Sequence, residues 1–233
     1  MKQYKSTRKL FYNTFLYKWE IGNQCASIFR SEYDKQGRLS NAKKHLDIYT
    51  EHVKRGARIT VPRFRMEIEI NPDDVIDASL VYNILFKEKD TYKIRAERNS
   101  LSVYTNNTSL LDTLENTTFN SRYIQFHKPD PEIEKFLVDN TNVIVVPNPT
   151  DFPIRVTLGY KRASKGLLPF LHANPTTVAV SDNLISKLEH GIGWVSNNYI
   201  NLKSEKTLLL LQMICGDNIQ RVDKLVYKED IDK

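Results

Sequence analysis

The sequence has few cysteines and no long apolar segment. Cys25 and Cys215 cannot staple 233 residues with disulfides, which favours a reducing compartment. The longest apolar run, residues 208–211, is far shorter than the roughly 20 residues that span a bilayer. Asn13, Lys18 and Glu20 interrupt the apolar stretch that a secretory signal would need after the basic start. We therefore expect a cytoplasmic protein without a transmembrane helix.

Motifs that hold phosphates or metals are also scarce. The only close pair among the eight glycines, Gly191 and Gly193, does not follow a strand and open a helix, which argues against a phosphate-binding loop. His45 and His52 are seven residues apart, too far for the i, i+4 pairing that lets two histidines share a metal. Neither cysteine has a histidine at zinc-ligand spacing. The sequence thus predicts neither a cofactor nor a bound metal.

The overall amino-acid composition is that of a folded protein. Hydrophobic residues make up 40% and charged residues 27%, and the length suits one large domain or two smaller ones. The best candidate joint is the segment 146–151, which contains two prolines and follows an apolar run. It separates a basic half, 1–146, from a second half, 151–233, although one compact domain stays an alternative.

Three stretches share the pattern of two strands, a polar cap and a helix. The first pairs 58–61 with 63–70, whose alternation places Phe64, Met66, Ile68 and Ile70 on one face before an Asn71-Pro72 helix start. The second pairs 92–97 with 101–105 ahead of a helix at 107 or 108. The third pairs 193–195 with 199–202 ahead of a helix over 205–215, which Ser204 caps and Gly216 ends.

The remaining pattern predicts further elements around these three stretches. Strands are expected at 10–21, 123–126, 154–160 and 219–227, and helices at 40–55, 131–137 and 182–190. Together they predict an α+β fold of repeated ββα-type small mixed sheets with flanking helices, in two packed halves.

Charge is the unevenly distributed property. Residues 1–65 carry 15 Lys and Arg against 5 Asp and Glu, whereas the remaining residues have a net charge of −4. An anionic partner would therefore be drawn to one region. Aromatic residues alternate with cations in the first 20 residues, as a single-strand-binding surface requires. The structural alternative is that these rings pack in the core beneath a strand.

The predicted function is non-enzymatic binding of DNA or RNA without strong sequence preference, with single strands slightly favoured. A surface that docks on an acidic protein is the alternative. A second basic and aromatic stretch, from Arg155 to Lys165 with Tyr160, either extends this surface or flanks a loop. The residues predicted to contact nucleic acid are Lys5, Arg8, Lys9, Tyr12, Tyr17, Lys18, Lys43, Lys44, Lys54, Arg55, Arg58, Arg63 and Arg65.

An acidic group offers a further alternative, a metal-dependent nuclease. Glu67, Glu69, Asp73 and Asp74 lie at a strand-to-helix transition, and paired carboxylates can hold two divalent ions. Asp73 and Asp74 equally suit the first turn of the helix that Asn71 begins.

The amino-acid composition also bears on the source of the protein. Abundant Lys, Asn, Ile and Tyr with little Ala is typical of an AT-rich coding genome, which suggests a phage-encoded protein in the host cytoplasm. The oligomeric state is left open.

Overall fold

The computed structural model describes residues 2–30, 35–63 and 66–231, with the side chains of 35, 36, 62, 63 and 66 outside that description. The chain forms two compact units. Unit 1 contains the residues up to Thr7 together with Thr14–Asp130, and unit 2 contains Arg8–Asn13 and the chain from Pro131 onward. The strand at 143–146, placed before the joint in the sequence analysis, belongs to unit 2. The α+β class is confirmed.

Unit 1 contains a five-stranded mixed sheet in the order β1-β7-β2-β6-β5 and a separate β3-β4 hairpin. Strands β1 and β7 are parallel, and the other neighbours in the sheet are antiparallel. Its elements are β1 Lys2–Thr7, β2 Tyr17–Gly22, a 3-10 helix Gln24–Phe29, α1 Lys35–Lys54, β3 Thr60–Arg63, β4 Met66–Glu69, α2 Pro72–Lys87, β5 Tyr92–Glu97, β6 Ser100–Thr105, α3 Thr108–Asn116 and β7 Ile124–Pro129.

Unit 2 contains a second five-stranded mixed sheet, in the order β8-β12-β9-β11-β10. Here β8 and β12 are parallel and the other neighbours antiparallel. Its elements are α4 Pro131–Asp139, β8 Val143–Val146, β9 Ile154–Leu158, α5 Leu167–Ala173, β10 Val178–Val180, α6 Asp182–Glu189, β11 Tyr199–Leu202, α7 Glu205–Cys215, β12 Ile219–Tyr227 and the 3-10 turns Gly216–Asn218 and Lys228–Asp230.

The two sheets have the same topology. Each matches a β-α-β-β-α-β succession of ferredoxin-like type, with a further strand added parallel to the last one. The repeat is therefore twofold, rather than the three ββα stretches that the sequence suggested. In particular, residues 193–195 form no strand, because only an isolated bridge joins Trp194 to Arg162.

Alternation along the strands of unit 2 separates an apolar face from a polar face. Ile154, Val156 and Leu158 of β9 pack with Ile200 and Leu202 of β11 in one core. Leucines of α5, α6 and α7 complete that core, so these three helices lie on one face of the sheet. The residues between them in sequence, on β9 and β11, point to the opposite face. No helix among the described residues is long and apolar enough to cross a membrane.

Candidate nucleic-acid interface

The fold divides the basic N-terminal region among three places. Lys5 and Lys18 lie on the sheet of unit 1. Arg8 and Lys9, with the exposed Tyr12, belong to unit 2, where the Arg8 carbonyl accepts a hydrogen bond from the Val145 amide at 2.8 Å. The remaining predicted cations lie on or after α1. The predicted residues therefore fall into three groups: the sheet of unit 1, the segment 8–13 of unit 2, and α1 with the segment that follows it.

On α1 and the segment after it, nearby carboxylates pair with three of the predicted cations. Lys43 contacts Asp47 at 2.7 Å, Arg55 contacts Glu51 at 2.9 Å, and Arg58 lies 3.7 Å from Glu69. No ion pair among the described residues involves the exposed Lys44 and Lys54. The side chains of Arg63 and Arg65 lie outside the described residues. The net positive charge of α1 is therefore smaller than its lysine and arginine content implies.

On the sheet of unit 1, the central cation is neutralised in a similar way. Lys18 forms an ion pair with Glu20, and both side chains are largely buried. The Tyr123 hydroxyl donates to the same carboxylate at 3.0 Å. Tyr17 is 4% exposed and faces the core, because it alternates with Lys18 along β2. The expectation that Tyr17 offers a surface ring is therefore wrong, and the core alternative applies to it.

The polar face of the unit 2 sheet carries a different arrangement, which we call the Tyr199 cluster: Lys9, Arg155, Tyr199, Asn201, Arg221 and Asp223. The Arg155 guanidinium lies 4.2 Å from the centre of the Tyr199 ring and donates to Asn201 at 3.0 Å. Strand register places Asp223 opposite Arg155, and Arg221 two residues away on β12. Tyr199 is 45% exposed, so one ring at the surface is held beside a stacked guanidinium.

Arg221 is held in place from two sides. Its Nε donates to the buried carboxylate of Asp223, and its Nη1 donates to the Leu10 carbonyl at 3.4 Å. The remaining Nη2 is buried and has no hydrogen-bond partner among the described residues. An anionic oxygen is the acceptor that such a donor favours most.

Positive charge exceeds negative charge in this cluster. Burial lowers the pKa of Lys9, and the neighbouring Arg221 and Arg155 lower it further, against the opposing effect of Asp223. Lys9 thus lies in a region where the cations repel one another, three of them around one carboxylate. A polyanion placed here would relieve that repulsion.

The acidic group at the start of α2 has structural roles. The Asn71 side chain accepts from the Asp73 amide at 3.0 Å, and Asp73 and Asp74 occupy the first helical turn. Asp77 is 1% exposed and accepts from the amides of Asn120 and Ser121, both at 2.8 Å.

Burial raises the pKa of Asp74, with smaller contributions from Asp77 and Asp73. Glu67 and Glu69 are exposed on β4, and Glu69 faces Arg58. In the described part of the chain, no three His, Cys, Asp or Glu side chains are grouped so that they could hold a metal ion. The helix-start interpretation therefore accounts for Asp73 and Asp74.

Sequence reasoning missed the central members of the Tyr199 cluster. Arg155 was noted as part of a second basic stretch, but Tyr199, Asn201 and Arg221 were assigned only to strands. The usable signal was the alternation of Ile154, Val156 and Leu158 with polar residues, which places Arg155 on the face opposite the core. The place of Lys9 in the cluster could not be predicted in this way, because residues 8–13 join unit 2 only in the folded chain.

No known protein family, curated protein or solved structure matches this chain. Its function is therefore inferred from its own residues.

Proposed function

We propose that this protein binds nucleic acid through the Tyr199 cluster. The observation that carries the proposal is the convergence of Lys9, Arg155 and Arg221 around the single buried carboxylate of Asp223, with Arg155 also stacked on the half-exposed ring of Tyr199. Fold alone does not determine function, so the proposal depends on these side chains rather than on topology.

Each part of the cluster has a role in contacting a polynucleotide. Arginine and lysine neutralise phosphates, and binding releases the counterions of the strand. An aromatic ring on a sheet gives bases a stacking platform, as in RNA-recognition motifs, where sheet aromatics stack two or three bases. Asn201 adds an amide that can bond to base edges or sugar hydroxyls. The chemistry serves DNA and RNA alike.

The α1 surface has a supporting part in the proposal. Its exposed Lys44 and Lys54 add long-range attraction, which raises the rate of encounter without fixing the register of the strand. Charge reversal there should therefore weaken binding less than reversal within the cluster.

The test is fluorescence anisotropy of labelled single-stranded DNA, single-stranded RNA and duplex DNA at salt concentrations from about 50 to 200 mM. We expect salt-sensitive binding that Lys9→Glu and Tyr199→Ala each weaken by roughly tenfold. Lys44→Glu on α1 is the matched control, because it changes the same charge on an exposed lysine. Circular dichroism confirms that each variant is folded.

Two outcomes would contradict the proposal. If none of the three nucleic acids binds at the lowest salt concentration, the basic surface serves an anionic partner of another kind, such as an acidic protein. If Lys44→Glu weakens binding more than Lys9→Glu does, the site lies on α1 and not in the Tyr199 cluster.

A further inference from the structure

Two further exposed rings lie in loops at one end of the unit 2 sheet. Tyr160 is 62% exposed in the loop that follows β9, and Trp194 is 61% exposed in the loop that precedes β11. The first loop also contains Lys161, Arg162 and Lys165. Tyr160 and these cations form the second basic stretch of the sequence, whereas Trp194, predicted within a strand, lies in a loop.

The backbone that holds Trp194 is fixed on both sides. Val195, the next residue, is completely buried, and its carbonyl accepts from the Asn198 side chain at 2.9 Å. On the other side, the Gly193 carbonyl accepts from the Ala163 amide at 2.8 Å. Trp194 is thus presented at the surface by an ordered loop, which lowers the entropy cost of using its ring for binding.

The same loop is joined to the strands that carry the Tyr199 cluster. Leu158, the last residue of β9, donates from its amide to the Asn198 carbonyl at 2.8 Å and accepts from the Asn197 amide at 3.1 Å. Asn198 directly precedes Tyr199 in the chain. The exposed rings of Tyr160, Trp194 and Tyr199 therefore all belong to the end of the sheet where β9 ends and β11 begins.

Cations accompany these rings. Lys161 forms an ion pair with Asp217, and its amide donates to the buried Asn218 side chain at 3.1 Å. Arg162 is exposed beside Gly193, where a β-carbon would lie 3.3 Å from the arginine Cγ. Glycine at 193 thus leaves room for the Arg162 stem, with its guanidinium next to the Trp194 loop.

We propose that the ligand of this surface is single-stranded nucleic acid, whose unpaired bases stack on Trp194, Tyr160 and Tyr199. This rests on the proposed function. Rings interleaved with cations suit a strand whose bases are free, because every base has a π-face and each phosphate meets a cation. In a duplex the bases are already stacked and paired, so exposed rings gain nothing comparable from it.

The test uses the intrinsic fluorescence of the protein. The chain has two tryptophans, and Trp19 is completely buried whereas Trp194 is exposed, so a stacking ligand should quench only the emission of Trp194. The probes are unlabelled oligo-dT and oligo-U, with a duplex of the same length for comparison, and anisotropy is measured in parallel with labelled versions. We expect quenching by both single strands, absent in Trp194→Phe because its emission is removed.

Affinity gives the second measurement. Trp194→Ala should weaken single-strand binding by roughly tenfold, Trp194→Phe should retain most of it, and neither should change duplex binding by more than about twofold. Ile192→Ala is the matched control, since Ile192 is exposed in the same loop but has no ring. Single-strand binding seen by anisotropy without any change in tryptophan emission would overturn the stacking inference and leave the proposed function standing. If anisotropy shows no binding of either single strand or of the duplex, both the stacking inference and the proposed function are overturned.

Discussion

At the scale of single residues, His127 is a histidine held in its neutral form. The pKa of His127 is lowered to about 4, chiefly by burial and also by the facing Lys18 and Lys5, against the opposing effect of Glu20. Lys18 and Lys5 are its partners on the neighbouring strands β2 and β1. Protonation would therefore add a third cation to a half-buried group of charges.

This pKa predicts a loss of stability in mild acid. As the pH falls below 6.5, the unfolded chain protonates at His127 while the folded chain does not until about pH 4, so the free energy of unfolding decreases. Between pH 6.5 and 4.5 we expect a loss of about 1 to 2 kcal/mol, after allowing for solvent screening of a half-buried group. The free energy of unfolding, measured by urea denaturation at several pH values, tests this prediction.

Other titratable groups also change the free energy of unfolding with pH, and a variant of His127 separates their contributions from that of His127. The pKa of Glu20 is lowered by its hydrogen bond to Lys18, against the opposing effect of burial, so its own contribution is lost only below pH 4.5. His127→Gln should remove the loss between pH 6.5 and 4.5, whereas His52→Gln, which changes an exposed histidine, should not. Equal pH dependence in His127→Gln and the unmodified protein would contradict the prediction.

At the scale of elements, the end of α7 depends on a backbone conformation that favours glycine. Gly216 has φ 52° and ψ −128° and donates from its amide to the Gln212 carbonyl. A β-carbon there would meet nothing within 4 Å, so the cost of any other residue is the cost of the dihedral angles.

Gly216→Ala should therefore lower the free energy of unfolding by about 1 to 2 kcal/mol. Gly166→Ala is the control, because Gly166 has φ −78° and its β-carbon would make an ordinary contact with Ile214. We expect Gly166→Ala to be neutral or slightly stabilising. The two urea midpoints are compared directly, and a Gly216→Ala midpoint equal to that of Gly166→Ala would show that α7 ends without help from glycine.

Elements with local signals were predictable from the sequence. Asn71-Pro72 marks the start of α2, and Ser204 and Gly216 bound α7 as expected. The hairpin of β5 and β6 is also confirmed, with Arg98 at φ 45° in its turn. In each case the decisive interactions lie within a few residues of one another.

Elements that depend on distant partners were not predictable. The strand β1 was missed because its sequence lacks apolar alternation and it is ordered by parallel pairing with β7. The strand predicted over 10–21 is shorter, since Tyr12 and Asn13 turn the chain with φ near 55° before β2 begins. The Tyr199 cluster is hidden for the same reason, because β12 and residues 8–13 meet only in the folded chain.

At the scale of the whole molecule, insertions conceal a twofold repeat of topology. Residues 23–91 connect β2 to β5, whereas the corresponding connection of β9 to β10 takes only 159–177. Conversely, β5 and β6 are joined by a tight turn, whereas α6 lies between β10 and β11. Because the added segments fall at different places in the two units, a fixed sequence period is absent although the strand orders agree.

The first 13 residues contribute to both units, which leads to a prediction about truncation. Residues 2–7 supply the edge strand of unit 1, where Tyr4 stacks on Phe126 with ring centres 5.4 Å apart. Residues 8–13 supply the buried Leu10 of unit 2 and a bond from the Asn13 side chain to Asn142 at 2.8 Å. Removing residues 2–7 should therefore increase local unfolding in unit 1 alone, and removing residues 2–13 should increase it in both units.

Hydrogen exchange followed by mass spectrometry distinguishes the two truncations. Removal of 2–7 should speed amide exchange in peptides covering β7 and leave those covering β8 unchanged. Removal of 2–13 should in addition speed exchange in β8, because Val145 loses its hydrogen bond to the Arg8 carbonyl. If exchange in β8 stays slow after the longer truncation, the segment 8–13 does not stabilise unit 2. In that case Lys9 is not held in the Tyr199 cluster by the fold, and its contribution to binding must come from a mobile arm.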